Sequence, residues 1–295
     1  MSLPPVCLVD ASIYVFRAWF SVPDEFRNGR GEPTNAVYGF TGFLCSLMEQ
    51  TETPYIGVAF DESLTTSFRN RIYPDYKANR EPTPVELKRQ FAWARQVAES
   101  LGLKCFADPE YEADDLIGTL TGYWRERGHA VHLVTGDKDL AQLIRQGDYW
   151  WDFARNRKLG HARITDKFGV PPERMADYLA LTGDAVDNIP GVPGVGPKTA
   201  ASLLNHFDSL DDLWGRLDEV PHLSFRGAKS VHRKLEVHRA AADLARQLTG
   251  IETQVPSVLA DPDITRGELD QAGLNRLFDA LAFGGMLRQR CLRTG

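Results

Sequence analysis

The chain has 295 residues, 43% hydrophobic, enough to bury a sizeable core in one large domain or a core with an appendage, which excludes a disordered or fibrous protein. No stretch approaches the roughly 18 apolar residues of a membrane span, no basic region leads into an apolar run at the start, and Cys7, Cys45, Cys105 and Cys291 lack disulfide or CxxC spacing; a cytoplasmic, non-membrane protein with reduced, buried thiols is expected. The net charge of −6 argues against nucleic acid by its sum alone, yet basic residues gather at 69–95, 155–158 and 226–239, and each gathering is a candidate positive stripe as well as an ordinary solvated face.

Residues 6–9 form a short apolar run ending in Asp10, which reads as a buried strand. Ser12 suits an N-cap for a helix through Arg17 and Phe20, and Asn35 a cap for a second helix with Val37, Phe40, Leu44, Leu47 and Met48 on one face. Residues 55–60 repeat the first pattern and end at Asp61. A third apolar run, 131–134, is followed by Thr135, Gly136 and Asp137. Helical periods at 85–101 and 112–127 lie between these strands, so the spacing predicts a mostly parallel α/β sheet with aspartates at its carboxyl edge, where such sheets bind ligands.

More acids fall at element starts. Glu112, Asp114 and Asp115 open a helix, Asp137 and Asp139 flank a strand-to-helix turn, and Asp184 and Asp187 are three apart, on one face if 177–187 is helical. A single such acid is an ordinary turn former or dipole cap. Nine converging acids would repel one another strongly unless protonated or bound to cations. All-oxygen ligation favours Mg²⁺ or Mn²⁺ over zinc, and two such ions about 4 Å apart suit phosphodiester hydrolysis. Setting these nine aside leaves a small basic excess over the rest of the chain.

Between the second strand and the acidic helix, residues 68–80 mix cations with aromatics, Arg69, Tyr76, Lys77 and Arg80 among them, as single-strand clamps do; an ordinary exposed loop is the competing reading. After Asp187, Pro190 is expected to stop a helix, and Gly191, Gly194 and Gly196 to allow positive φ and close backbone approach. Lys198 and Thr199 then open a new helix through Leu203, Leu204 and Phe207. Two helices joined by this hairpin offer backbone amides and a lysine to a phosphate; a plain surface turn is the competing reading.

These residues resemble the flap endonuclease family, most closely the 5′ nuclease region of bacterial DNA polymerase I. The matches run from Leu8-Val9-Asp10 through Phe60-Asp61, Tyr76-Lys77 with Arg80, Tyr111 to Asp115, Thr135 to Leu140 and Gly183 to Gly196, and end at Leu223 to Lys229, so they cover nearly the whole chain. The resemblance implies a PIN-like, mostly parallel sheet flanked by helices. Residues 1–170 would form the nuclease core, with a helical arch insertion near 64–90, and residues 171–295 a helix-hairpin-helix region whose C-terminal helices pack back on that core. It places one metal at Asp10, Asp61, Glu112, Asp114 and Asp115 and a second at Asp137, Asp139, Asp184 and Asp187, with Mg²⁺ as the ion and Mn²⁺ as a substitute.

By the same resemblance, Arg17, Lys77 and Arg80 contact the reacting phosphate or the arch over it. Arg69, Tyr76, Gly191, Gly194, Gly196, Lys198, Thr199, Arg226 and Lys229 contact DNA, with a K⁺ ion at the hairpin. The implied substrates are DNA 5′ flaps, nicks and 5′ ends, with RNA in RNA/DNA hybrids as a further candidate, cut by a monomer in replication or repair. Ala11 stands where the family has Gly, and Ala185-Val186 where it has small polar residues. No polymerase region follows Gly295, so a stand-alone relative is expected. A PIN-like ribonuclease and a non-catalytic helix-hairpin-helix binder are the alternatives; the second leaves the acids unexplained.

Overall fold

A computed structural model describes residues 3–62 and 66–294. In chain order the elements are β1 (Val6–Asp10), α1 (Ala11–Ser21), α2 (Asn35–Gln50), β2 (Ile56–Ala59), α3 (Phe68–Ile72), α4 (Val85–Ser100), β3 (Lys104–Phe106), α5 (Ala113–Glu126), β4 (Val131–Val134), β5 (Tyr149–Asp152), β6 (Arg157–Leu159) and α6 (His161–Phe168). There follow α7 (Met175–Thr182), α8 (Pro197–His206), α9 (Leu210–Gly215), α10 (Ala228–Thr249), α11 (Pro256–Ala260), α12 (Gln271–Ala280) and α13 (Gly285–Thr294). The first positions of the expected arch insertion, 64 and 65, lie outside the described residues.

The described strands form one six-stranded sheet in the order β3-β2-β1-β4-β5-β6. It is parallel throughout except for β6, which pairs antiparallel with β5. Every side chain of β1 is buried, as expected for a central strand covered on both faces. Its alternation divides the core. Val6 and Leu8 face Leu116, Ile117 and Leu120 of α5 and the helices α7, α8 and α10 beyond. Cys7 and Val9 face Tyr14 and Val15 of α1 together with α2, α4, α12 and α13.

Chain order therefore reverses at β1, with β2 on one side and β4 on the other, and such a switch point opens a crevice beyond the carboxyl ends of the strands. β1 ends at Asp10, Asp61 follows β2, and Asp137 follows β4. The sheet is thus as the sequence predicts it, a mostly parallel PIN-like core with helices on both faces.

Two capping expectations need correction. Asp10, not Ser12, caps α1: its Oδ1 accepts a hydrogen bond from Ile13 N at 3.4 Å. Asn35 is the first residue of α2, and its amide ties back to the end of α1 by donating to Trp19 O and Val22 O, both at 3.1 Å.

Candidate active site

Each strand end builds part of one cleft. Asp10 Oδ2 accepts from Thr135 Oγ1 at 2.9 Å, joining β1 to the turn after β4. Ser12 Oγ accepts from Asp61 N at 3.0 Å, joining α1 to the end of β2. Asp61 Oδ1 accepts from Ala113 N at 2.9 Å, and so caps the first amide of α5. Asp137 Oδ1 accepts from Asp139 N at 2.9 Å and shapes the turn between them. The result is a cleft of about 180 Å³ lined by Asp10, Asp61, Glu112, Asp114, Asp137, Asp139 and Asp187.

Gathering these carboxylates shifts their protonation. Burial, reinforced by the charges of Asp61 and Asp137, pushes Asp10 up to about 7. Burial and acidic neighbours likewise hold Asp114 and Asp139 well above the usual carboxylate range, and burial raises Asp137. Asp139 Oδ1 is buried with no hydrogen-bond partner among the described residues. An unpaired buried oxygen within an all-carboxylate donor set fits a hard divalent cation. Among the described residues no group of three or more His, Cys, Asp or Glu side chains is arranged, as it stands, to hold a metal ion. Basic side chains reach between the acids instead: Lys77 Nζ lies 2.6 Å from Glu112 and 3.9 Å from Asp187, Arg80 pairs with Asp187, and Lys138 lies 2.7 Å from Asp184.

Two of the nine candidate metal ligands do not line this cleft. Asp115 is fully buried, and both its oxygens are saturated: Arg69 binds it bidentately at 2.7 Å, while Glu112 N and Glu252 N donate at 3.1 and 2.9 Å. It has no lone pair left for a cation, so its place in the first metal shell is corrected to a structural one. Asp184 is also buried and faces Lys138. The expected helix over 177–187 is not formed either: α7 ends at Thr182, before Gly183 at φ +73, well short of Pro190. Asp184 and Asp187 sit instead in a turn closed by reciprocal bonds, Asp184 N to Ile189 O at 2.9 Å and Ile189 N to Asp184 O at 2.8 Å.

Arg69 is likewise not a DNA contact. It is buried, and beyond Asp115 its guanidinium donates to Leu248 O, Gly250 O and Glu112, which leaves no face for a phosphate. Tyr76 is 3% exposed and forms part of the cleft wall, its hydroxyl donating to Glu112 at 2.9 Å. Lys77 and Arg80 line the cleft itself. Arg17 is exposed on α1 and does not line it. A second cavity of about 740 Å³ adjoins through Ser12, Phe16, Asp61, Tyr76, Lys77 and Arg80, and adds Lys88 and Phe91 from α4. Lys88 and Phe91 were invisible as site residues in the sequence because they sit on the amphipathic period of an ordinary helix.

At the hairpin, Gly191 packs so tightly on the end of α7 that a Cβ there would stand 2.3 Å from Gly183 N. Gly194 takes φ +78. Gly196 does not need to be glycine for either expected reason: its φ is −91 and a Cβ there would meet open space. Lys198 is exposed in the first turn of α8 with Thr199 beside it, and Arg226 and Lys229 are exposed where α10 begins. Lys234 carries no motif of its own in the sequence, yet its ammonium lies 2.2 Å from where a Gly194 Cβ would be. It brings a cation to the hairpin from the chain itself, where a K⁺ ion would meet like charge, so no role is derived for K⁺.

A parallel sheet with an acidic cleft at its switch point, a cationic segment across that cleft and a glycine-turned helix pair beside it define a PIN-like nuclease. The profile of an N-terminal resolvase-like 5′–3′ exonuclease domain matches residues 5–169, and that of a C-terminal 5′–3′ exonuclease SAM fold matches residues 170–272. The chain belongs to the 5′–3′ exonuclease family. It is 39% identical over 288 residues to DNA polymerase I of Pseudomonas aeruginosa, covering 97% of this chain and 31% of that protein. To the thermostable DNA polymerase I of Thermus filiformis it is 36% identical over 294 residues, covering 99% and 34%. It thus spans about a third of the length of these curated relatives.

Among solved structures, T5 5′-exonuclease with bound zinc ions superposes with a TM-score of 0.69 at 19% identity, covering 94% of this chain and 99% of that one. The catalytic core of Rad2 in complex with DNA substrate gives 0.59 at 17% identity, covering 99% and 93%. At these identities the likeness is one of fold. Among the described residues no helix is long and apolar enough to cross a membrane.

Proposed function

We propose that this chain is a divalent-metal-dependent, structure-specific 5′ nuclease that hydrolyses DNA phosphodiesters at 5′ flaps, nicks and 5′ ends during replication or repair. The observation that carries the reading is the meeting of seven carboxylates with Lys77 and Arg80 in one cleft at the sheet's switch point. Two Mg²⁺ ions held there, or Mn²⁺ in their place, would supply the activation of a water and the charge stabilisation of the departing oxygen. Asp10, Asp61, Glu112 and Asp114 would hold one ion, and Asp137, Asp139 and Asp187 the other.

The remaining steps belong to the chain's own groups. Lys77 Nζ and the Arg80 guanidinium donate to the non-bridging oxygens of the reacting phosphate, exchanging Glu112 and Asp187 for it as the substrate enters. The adjoining cavity, walled by Phe16, Phe91, Lys88 and Arg80, takes the unpaired strand by stacking and charge. Lys198, Thr199 and Lys234 at the hairpin, with Arg226 and Lys229, hold the duplex backbone without reading its sequence. In this reading residues 1–170 perform the chemistry and residues 171–295 grip the substrate.

The test is cleavage of end-labelled 5′-flap, nicked and single-stranded DNA, with a matched RNA flap, in Mg²⁺ and in chelator. Metal-dependent cutting of the DNA flap and nick is expected. Cutting of the RNA flap alone would transfer the assignment to a PIN-like ribonuclease, and tight DNA binding with no cleavage in any metal would reduce the chain to a binding module.

A further inference from the structure

The segment that carries Lys77 and Arg80 is stitched to the turn that carries Asp184 and Asp187. Lys77 N donates to Asp187 O at 2.9 Å. Beside it, two asparagine amides cross between the segments in opposite directions: Asn79 Nδ2 donates to Ala185 O at 2.8 Å, and Asn188 Nδ2 donates to Asp75 O at 2.7 Å. Neither asparagine lines the acidic cleft.

Backbone conformation marks the same contact. Lys77 and Asn188 both have φ +56. Asparagine visits this left-handed region readily, whereas lysine does so only where its surroundings over-determine it. The crossing bonds supply that determination for Lys77. They also anchor it to a rigid frame, because the Asp184–Ile189 turn closes on itself and continues into Gly191, which is packed hard against α7.

We propose that Asn79 and Asn188 form a two-sided latch that fixes the 75–80 segment on the aspartate turn and so positions Lys77 and Arg80 over the acidic cleft. Both are positioning residues, acting through the two cations and touching neither carboxylate nor phosphate. The catalytic half of this inference rests on the nuclease reading above; the mechanical half rests on geometry alone.

The test uses the full chain with Asn79→Ala and, separately, Asn188→Gly. Glycine accepts φ +56 without strain, so the second variant removes the amide and leaves the turn conformation available. Hydrogen exchange, followed without DNA or metal, is expected to quicken roughly five- to tenfold at residues 76–80 and 185–188 in both variants, the effect of losing about one surface hydrogen bond. Single-turnover cleavage of a 5′ flap at saturating Mg²⁺ should fall by a similar factor while the Kd for nicked duplex stays within about twofold. Faster exchange confined to the substituted residue overturns the latch, and so does a parental cleavage rate in variants whose exchange has quickened. If the parent enzyme cuts no DNA, the nuclease reading falls, and the exchange pattern still decides the latch.

Discussion

Asp115 and Asp139 stand in the same acidic neighbourhood, yet opposite consequences follow from removing their charges. Asp115 is the buried bidentate partner of Arg69, so Asp115→Asn leaves a guanidinium that is 3% exposed with only Glu112, at 3.4 Å, as counter-ion. Breaking such a pair from one side costs about 3–5 kcal/mol. The variant should show that loss in urea unfolding, and its loss of cleavage should track its unfolded fraction. Asp139 instead carries an unpaired oxygen and a pKa raised by burial and by Asp137 and Asp184. Asp139→Asn should raise the Tm of the metal-free protein at neutral pH while slowing cleavage roughly 100-fold or more, the value of several kcal/mol of transition-state stabilisation. A lowered Tm would show that Asp139 is a fold-supporting acid like Asp115.

The same electrostatics set a pH dependence. Asp10 has its folded pKa raised to about 7 from an ordinary 3.8, and Asp114, Asp137 and Asp139 shift in the same direction. A raised acid binds its proton more tightly in the folded state, so its stabilising contribution is complete below about pH 4 and is lost as pH rises through about 7. Bound metal offsets the charge that remains above that range. Added Mg²⁺ should therefore raise Tm more at pH 8 than at pH 5.5, and its binding should release protons. Thermal scans across that range, with and without Mg²⁺, check it, and an equal shift at both pH values would remove the acid cluster from the metal site.

At the scale of elements, the hairpin combines two demands that one mutation each can separate. Gly191→Ala puts a Cβ against the backbone of Thr182 and Gly183, where nothing flexible can yield, and should destabilise the α7–α8 unit by about 1–3 kcal/mol. Lys198→Ala or Lys234→Ala should leave stability nearly unchanged and flatten the salt dependence of duplex binding by about one unit each, as for one lost phosphate contact. Affinity measured across a salt series decides, with an unchanged slope returning either lysine to the solvated surface.

The elements also show where the sequence was legible. β1, β2 and β4 are largely buried runs of four or five residues, β1 ending at Asp10 and the other two followed within three residues by Asp61 and Asp137, and their period and punctuation are local signals. β3 and β6 span three residues each, too short for any period to register, and they are fixed only by their neighbours in the sheet. A spacing of three between Asp184 and Asp187 fits a helical face and a closed turn equally well, and Gly183 at φ +73 decided between them. Arg69 carried no local mark of its role, because the acid it binds lies 46 residues further on. Its neighbours Phe68 and Arg71 made it look like part of a basic surface.

For the molecule as a whole, the bonds from Arg69 to Leu248 and Gly250 and from Glu252 to Asp115 tie the end of α10 and the residues after it into the floor of the cleft. On the opposite face, α13 returns to α2 through Arg290 and Glu49, with Cys45 and Cys291 side by side beneath. Two regions joined in this way should unfold together. Calorimetry is expected to give a single transition whose van't Hoff and calorimetric enthalpies agree, and a fragment ending at residue 170 should be poorly folded. Two resolved transitions would show that the sequence-level division into halves is also a thermodynamic one.

Arg69's reach sets an order in time as well as in space. A ribosome that has released the chain as far as α6 has made every strand of the sheet, and with them Asp10, Asp61, Glu112, Asp114, Asp137 and Asp139. It has not yet made the carbonyls of Leu248 and Gly250 that hold the Arg69 guanidinium, nor the amide of Glu252 that steadies Asp115. Six of the seven acids that line the cleft are thus synthesised early and braced late, and the cleft is complete only when the end of α10 and the residues after it have emerged. Most of the chain is therefore made before the cleft is braced.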